Sequence, residues 1–511
     1  MGSVFFLGID VGTSMIKAAL YDTAGRARAT AHAKVPVYHP RVDRSEQPMA
    51  AVRCATVDSI RDCIAAAHVT ADRIAGVACT GQGDGVWALD GNGEAVEPAV
   101  LWNDNRAAGI VRKWQETGIL SHHYEKGATV LWAGTSAAIL QWMAVHDRRT
   151  FDRIHTVFNA KDWITYNLTG VIATDESDAS IPFMDISRRV YDPGQAALLG
   201  LDDIVERLAP PGPSHEIIGR ITADAAVETG LAEGTPVVRG LLDVVANAIG
   251  AGAADVGQSF AILGTTLINA VTLDAPDGAP DDIGATVCGA RKDRWVRVLG
   301  SETGTPNLDW MVRLFDTSFD DEHDTSRVFQ TIETLAKQSE AGARGIIYHP
   351  FINGERAPFL NADATSGFFG ITEGSTRADL LRAVFEGTAM AARHNLTALG
   401  KDVRRIVVTG GGAANALWCQ IMADVIGCTI AVPAGAEFGT RGAALVAAYG
   451  TGAISDLAWI SDSAHESPHK EYIPNEGNGD MYDRIFAEYL GLIDMLTPFW
   501  ERRGARLRSR R

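Results

Sequence analysis

The sequence predicts an α/β protein made of two related domains, and three observations carry that expectation. The chain opens with a short apolar strand, Val4 to Ile9. A turn follows, Asp10-Val11-Gly12-Thr13-Ser14, and then a returning strand from about Met15 to Tyr21. The same order recurs about half a chain later, with Ser259 to Leu263, the turn Gly264-Thr265-Thr266, and Leu267 to Val271. Further on, the strand Arg405 to Thr409 runs into Gly410-Gly411-Gly412 and then a helix from Ala416 to Ile426. That helix has Leu417, Gln420, Ile421 and Val425 at helical spacing. Two hairpins with Gly-Thr tips in one chain point to two similar units rather than one large one.

Composition is consistent with this. The chain has 511 residues, 46% hydrophobic and 21% charged. A chain of this length buries sizeable cores without disulfide staples. Its six cysteines are scattered with no CxxC pair, so they read as reduced thiols rather than a zinc site. A formal net charge of −17 argues against nucleic acid or an anionic membrane as partner. The basic run from Arg502-Arg503 to Arg510-Arg511 reads as a solvated, frayed tail. The apolar start is short and lacks a basic leader, and no apolar run reaches membrane-spanning length. The expectation is a cytoplasmic protein.

Other elements follow in order. Ile74 to Cys79 reads as a strand leading into Thr80-Gly81-Gln82-Gly83-Asp84-Gly85. Gly234 to Gly240 reads as a buried strand entered by a turn, and Leu241 to Gly252 as a helix rich in Ala and Val. The small-residue run Gly250 to Ala254 marks a domain junction. Thr440 to Tyr449 is a small-residue helix able to pack closely on a sheet.

Several of these segments carry chemistry. In Asp10-Val11-Gly12-Thr13-Ser14, glycine admits an anion close to the backbone, and the turn's N–H groups and hydroxyls donate to phosphate oxygens. Lys17 adds a positive charge nearby, and Asp10 suits Mg²⁺ held through water. A plain hairpin turn is an equal reading of that motif alone. Gly264-Thr265-Thr266 is a second candidate phosphate turn. Gly410 to Asn415, between strand and helix, suits a nucleotide at a helix N-terminus or an ordinary tight turn. Neither a GxGxxG first unit nor a GxxxxGK[ST] loop is present.

Asp243, at a strand-to-helix junction, reads as a general base or as a helix N-cap, and position alone favours the cap. Gln82 and Asp84 suit the hydroxyls of a polyol. Leu101 to Arg106, with Trp102, Asp104 and Arg106, places an aromatic among polar groups as sugar sites do. A surface turn and a capped helix start are the bland alternatives.

With these residues in place, the whole chain resembles the FGGY family of carbohydrate kinases, which includes glycerol kinase, xylulokinase, ribulokinase and erythritol kinase. The resemblance is carried by Gly8 to Ser14, Asp162-Trp163 with Leu168-Thr169-Gly170, and Thr174-Asp175. It continues in Gly354-Glu355-Arg356-Ala357-Pro358, Arg382 to Gly387, Gly410-Gly411-Gly412 with Trp418, Gln420, Ala423 and Asp424, and Gly439 to Ala444.

The resemblance implies two actin-like, ribonuclease H-like domains of the sugar kinase, Hsp70 and actin superfamily with a cleft between them. Residues 1–252 would form the sugar-binding domain with the catalytic base, and residues 253–511 the ATP-binding domain. It implies ATP and Mg²⁺ as cofactors, a small sugar or polyol as partner, and the homodimers common among such proteins. Asp243 matches the catalytic base. Asp10, Gly12, Thr13, Ser14 and Lys17 match the first phosphate loop, with Asp10 toward Mg²⁺ through water. Gly264, Thr265 and Thr266 match the second phosphate loop, and Gly411, Gly412 and Asn415 the adenosine motif. Gln82, Gly83, Asp84, Trp102, Asp104 and Arg106 match the acceptor site.

Gly83-Asp84 departs from the Arg-Glu of glycerol kinases and the Met-His of xylulokinases. The stretch Gly81 to Gly85 is closer to erythritol kinases. An acceptor-only carboxylate at Asp84 disfavours an anionic sugar acid. The expectation is an ATP-dependent kinase of an erythritol-like tetritol or pentitol, with a xylulokinase-type ketopentose kinase as alternative. An Hsp70-like ATPase and a non-catalytic sugar-binding regulator are the other classes.

Overall fold

A computed structural model describes residues 4–276, 282–302, 304–315, 325–400, 403–457 and 469–508. Within it the chain divides into two compact units, neither of them one continuous stretch. The first comprises Met1–Val256, Thr272–Val296 and Gly435–Glu466; the second comprises Gly257–Val271, Arg297–Ala434 and Ser467–Arg511.

The first unit is organised on the strand Phe5–Val11. It pairs antiparallel with Met15–Tyr21 and parallel with Ile74–Gly81. The sheet runs in the order Ile217–Arg220, Pro236–Val238, Ile74–Gly81, Phe5–Val11, Met15–Tyr21, Ala27–Lys34. Phe5–Val11 is apolar along nearly its whole length because both faces are covered. The helix Met49–Ala67 supplies Val52, Ile60 and Cys63 to a core shared with Leu7, Ile9 and Val77.

The helix Phe438–Gly450, foreseen as a close-packing element, lies in this unit. Glycine permits its approach: a Cβ on Gly8 would sit 1.9 Å from the Thr440 carbonyl oxygen. Likewise a Cβ on Gly250 would meet Phe438 O at 1.9 Å, and one on Gly442 would meet Ala246 O at 2.0 Å.

The second unit repeats the arrangement. Ser259–Leu263 pairs antiparallel with Leu267–Leu273 and parallel with Arg405–Thr409, which continues parallel to Thr429–Pro433. The helix Arg377–Ala398 runs through its interior, started by a capping box of Thr376 and Asp379.

Two sequence expectations are corrected. The helix expected from Leu241 is a two-residue strand, Leu241–Leu242, followed by the helix Asp243–Ala251. Leu241 and Leu242 pair with Thr80 and Gly81, so tertiary pairing overrides local helical pattern. The basic tail is not frayed through Arg508. Arg502 to Arg508 continue the helix Gly479–Arg508, and Arg508 Nη1 lies 2.5 Å from Asp363 Oδ1. Arg510 and Arg511 lie outside the described residues. Among the described residues no helix is long and apolar enough to cross a membrane, and all six cysteines are free thiols.

Candidate active site

The first unit gathers two carboxylates at the ends of two strands that both pair with Ile74–Gly81. Asp10 is near the end of Phe5–Val11, and Asp243 follows Leu241–Leu242 as the first residue of its helix. Leu242, not Asp243, is the N-cap, and it makes no side-chain cap bond. The carboxyl of Asp243 stands at the first helical position, where it accepts from the backbone N–H of Val244. Burial first, and the charge of Asp10 second, push it up to about 7. Burial pushes Asp10 up to about 6; Lys17 pulls against the shift and Glu437 adds to it. Two deeply set acids, one of which raises the other, are a recurrent arrangement for proton transfer and for a nearby cation.

The Gly-Thr turn is tied to the acceptor segments. Thr13 Oγ1 donates to Gln82 Oε1 at 2.9 Å and accepts from Trp102 Nε1 at 3.0 Å. Gln47 Nε2 donates to Thr13 O at 2.8 Å, and Gln82 Nε2 donates to Gln47 Oε1 at 3.3 Å. In this structure the Thr13 proton is given to Gln82. Ser14 stands exposed at the turn. A Cβ on Gly12 would lie 2.8 Å from Met15 O, which is why the turn takes glycine there. Lys17 is paired with Glu437 Oε2 at 2.7 Å.

In the acceptor loop, Gly83 faces Leu242 and Asp178: its added Cβ would lie 2.5 Å from Leu242 Cδ1 and 3.2 Å from Asp178 Oδ1. Asp84 holds a left-handed backbone, φ 60°. Asp104 is buried beneath its loop. It accepts from Ser45 N at 2.7 Å and from Arg106 Nε at 2.8 Å, while Arg106 Nη2 also reaches Glu46 at 2.6 Å. Asp104 and Arg106 therefore brace the acceptor segment from below, and the Arg106 charge is matched by two carboxylates. Trp102 is the member of the segment joined to the Gly-Thr turn.

The second unit brings together its own loops. Gly304 N donates to Thr265 O at 2.8 Å and Thr305 N donates to Gly264 O at 2.9 Å, fixing the Gly264–Thr266 turn. Thr265 is exposed at its tip. Gly410 has φ 87°, and Gly412 packs so closely that a Cβ would lie 2.8 Å from the Trp418 ring. Nothing lies within 4 Å of a Cβ on Gly411, so that side of the loop is open. Asn415 caps the helix Ala416–Ile426 by accepting from Trp418 N at 2.9 Å. Its buried Nδ2 has no protein partner, which fits a donor reserved for a ligand.

Most of the chain is matched by family profiles. Residues 5–250 match the N-terminal domain of the FGGY family of carbohydrate kinases, and residues 260–451 match its C-terminal domain. The chain belongs to the FGGY family of carbohydrate kinases. It is 33% identical over 507 residues to the L-xylulose/3-keto-L-gulonate kinase of Escherichia coli K12, covering 98% of each chain. It is 29% identical over 511 residues to the erythritol kinase of Brucella abortus, covering 97% of each. The solved gluconate kinase of Lactobacillus acidophilus shares the fold, with a TM-score of 0.90 at 23% identity over 98% of this chain and all of the other. This FGGY kinase is thus a phosphotransferase with an alcohol acceptor, of the two-domain α/β sugar kinase fold.

Sequence reasoning missed three contributors to the kinase's site. Gln47 joins Thr13 to Gln82 but lies in no motif. Glu437 meets Lys17 from the far end of the chain, and only folding brings it there. The third is the buried Lys161, whose neighbours Asp162 and Asp175 were noted only as marks of resemblance.

Proposed function

We propose that this kinase transfers the γ-phosphoryl group of ATP to a terminal hydroxyl of a neutral four- or five-carbon polyol or ketose. The observation that carries the reading is the Asp243 carboxyl. It is buried, raised to about 7 and carried by the residue after Leu242, which Gly83 of the loop Gln82-Gly83-Asp84 faces. A base titrating near neutral pH takes the acceptor's hydroxyl proton as the oxygen attacks the γ-phosphorus in line with the departing ADP oxygen. The proton then passes from Asp243 to solvent.

The backbone of Gly264 to Thr266 and the turn at Gly12 would cradle the phosphates. Gly411, Gly412 and Asn415 would hold adenosine. Among the described residues no group of three or more His, Cys, Asp or Glu gathers as a metal cage. Mg²⁺ fits here in the manner it usually adopts with nucleotides, held by phosphate oxygens and water with Asp10 as the carboxylate behind that water. It would supply charge neutralisation of the phosphates.

A neutral acceptor is favoured because the Arg106 charge is already balanced by Asp104 and Glu46. The names of the two relatives give L-xylulose, 3-keto-L-gulonate and erythritol as acceptors; the neutral ones make L-ketopentoses and tetritols the first to try, with the six-carbon sugar acid as the contrasting acceptor.

The test is ADP release with and without tetritols, pentitols, ketopentoses and glycerol, repeated with Asp243→Asn. Acceptor-dependent turnover that falls about 10²–10⁴-fold in the variant, with ATP binding kept, is expected. Acceptor-independent turnover stimulated by peptides would instead place the chain with Hsp70-like ATPases. Near-normal turnover of Asp243→Asn would remove Asp243 from the chemistry.

A further inference from the structure

Four charged side chains are buried together in the first unit. Lys161 Nζ lies 2.5 Å from Asp162 Oδ1, 3.1 Å from Asp175 Oδ1 and 3.2 Å from Asp178 Oδ2, with at most 1% of any of the four side chains exposed. Such a cluster is a poor stabiliser compared with apolar side chains of the same volume. Lys161 also stands in the first turn of the helix Ala160–Thr169, where the helix dipole disfavours a cation. The hydrogen bonds leaving the cluster show what it holds.

They converge on the segment that leads into Asp243. Leu242 N donates to Ser177 Oγ at 2.8 Å. Ser177 Oγ donates to Asp175 Oδ2 at 2.6 Å, and Ser214 Oγ donates to the same oxygen at 2.8 Å. Ser214 O in turn accepts from Gly240 N at 3.1 Å, and Lys161 Nζ reaches Arg239 O at 3.5 Å. Arg239, Gly240 and Leu242 are thereby each fixed at a backbone atom. Asp178 adds a contact to the acceptor loop, since its Oδ1 lies 3.2 Å from where a Cβ on Gly83 would be.

The geometry has a direction. Asp175 Oδ2 accepts from Ser177 N as well as from the two hydroxyls, so it holds no proton of its own to give. The Ser177 hydroxyl must therefore point its proton at Asp175, which leaves a lone pair for the Leu242 N–H. Leu241–Leu242 is only two residues long, and its helix has no side-chain cap. Besides the pairing of Leu241 and Leu242 with Thr80 and Gly81, the Ser177 hydroxyl supplies the side-chain hydrogen bond to the residue before Asp243.

We propose that Ser177, oriented by the Asp175–Lys161 pair, is a positioning residue for the catalytic base, holding Leu242 so that the Asp243 carboxylate meets the acceptor hydroxyl. The proposal rests on the reading of Asp243 as the base. Misplacing a catalytic group by about 1 Å costs on the order of 10²-fold in rate without weakening nucleotide binding.

The test compares Ser177→Ala, Ser177→Cys and Asp243→Asn with the parent enzyme. Ser177→Cys fills the same volume with a poor acceptor. Turnover is measured with the acceptor the parent phosphorylates fastest in the panel above, and nucleotide-competent sites are counted by ADP titration. Both Ser177 variants are expected to lose about 10–100-fold in kcat per competent site, with KM for ATP unchanged. Parent-like kcat in Ser177→Ala, beside an inactive Asp243→Asn, overturns the positioning role and leaves the base intact. Parent-like turnover of Asp243→Asn removes the base reading itself. Loss of folded or ADP-binding protein in both Ser177 variants shows a general structural role and also overturns the proposal.

Discussion

The indole Nε1 of Trp102 donates a 3.0 Å hydrogen bond to the hydroxyl of Thr13, joining the acceptor segment to the Gly-Thr turn. Because Thr13 passes its own proton to Gln82, the turn and both acceptor segments share one side-chain network. Trp102→Phe keeps the ring and removes the donor. A neutral hydrogen bond of this kind contributes about 1 kcal/mol. The acceptor KM is expected to rise about fivefold with KM for ATP little changed. Steady-state kinetics with each substrate varied in turn checks this.

The pH dependence follows from the Asp10–Asp243 pair. A general base acts only when ionised, and burial together with the Asp10 charge raises Asp243 to about 7. Turnover is therefore expected to rise with pH through a limb centred near 7 and to level off above it. Asp10 is raised to about 6, so the limb belongs to the interacting pair rather than to one carboxyl. Asp10→Asn removes one cause of the Asp243 shift, and the residual activity should titrate at lower pH. A pH–kcat profile of both proteins reads this directly.

Asp84 is the proposed selector of the acceptor. Its backbone is left-handed, φ 60°, a conformation that Asp and His both tolerate better than most residues. Asp84→His should therefore fold, while exchanging an anionic acceptor for an imidazole. The ratio of kcat/KM between tetritol and ketopentose is expected to move by about tenfold, or about 1.4 kcal/mol. An unchanged acceptor spectrum would free Asp84 from that role.

Glu355 makes a prediction about stability. Its Oε1 accepts from Arg356 N at 2.9 Å and Glu302 N at 3.1 Å, and burial raises its carboxyl from 4.5 to about 7. The folded protein thus keeps a proton that the unfolded chain releases above the model-peptide value. Stability falls as pH rises through that window and levels off above about 7. Glu355→Gln retains the accepting oxygen and removes the ionisation. It should stabilise the second unit by about 2–3 kcal/mol at alkaline pH, with the difference vanishing at about pH 4–5. Urea unfolding at the two pH values tests this.

Much of the fold was legible in the sequence, because hydrophobic period and glycine placement are local. The two Gly-Thr hairpins, the strand Arg405–Thr409 and the helix Ala416–Ile426 all stand where the pattern placed them. The strand state of Leu241–Leu242, just before Asp243, was not legible. Leu241 and Leu242 become a strand only by pairing with Thr80 and Gly81, about 160 residues away in the chain.

By itself the sequence determined that this is a two-unit α/β kinase with two Gly-Thr turns and a carboxylate at a strand-to-helix junction. Only the tertiary structure decided what those parts touch. It committed the Thr13 proton to Gln82, matched Lys17 with Glu437, and turned Asp104 and Arg106 into a brace. It also buried Asp243 within reach of the Asp10 charge and behind a chain of hydrogen bonds from the Lys161 cluster. The reason is that motifs are set by neighbours along the chain, whereas hydrogen-bond partners and raised carboxyls are set by groups that meet only when distant segments are buried together.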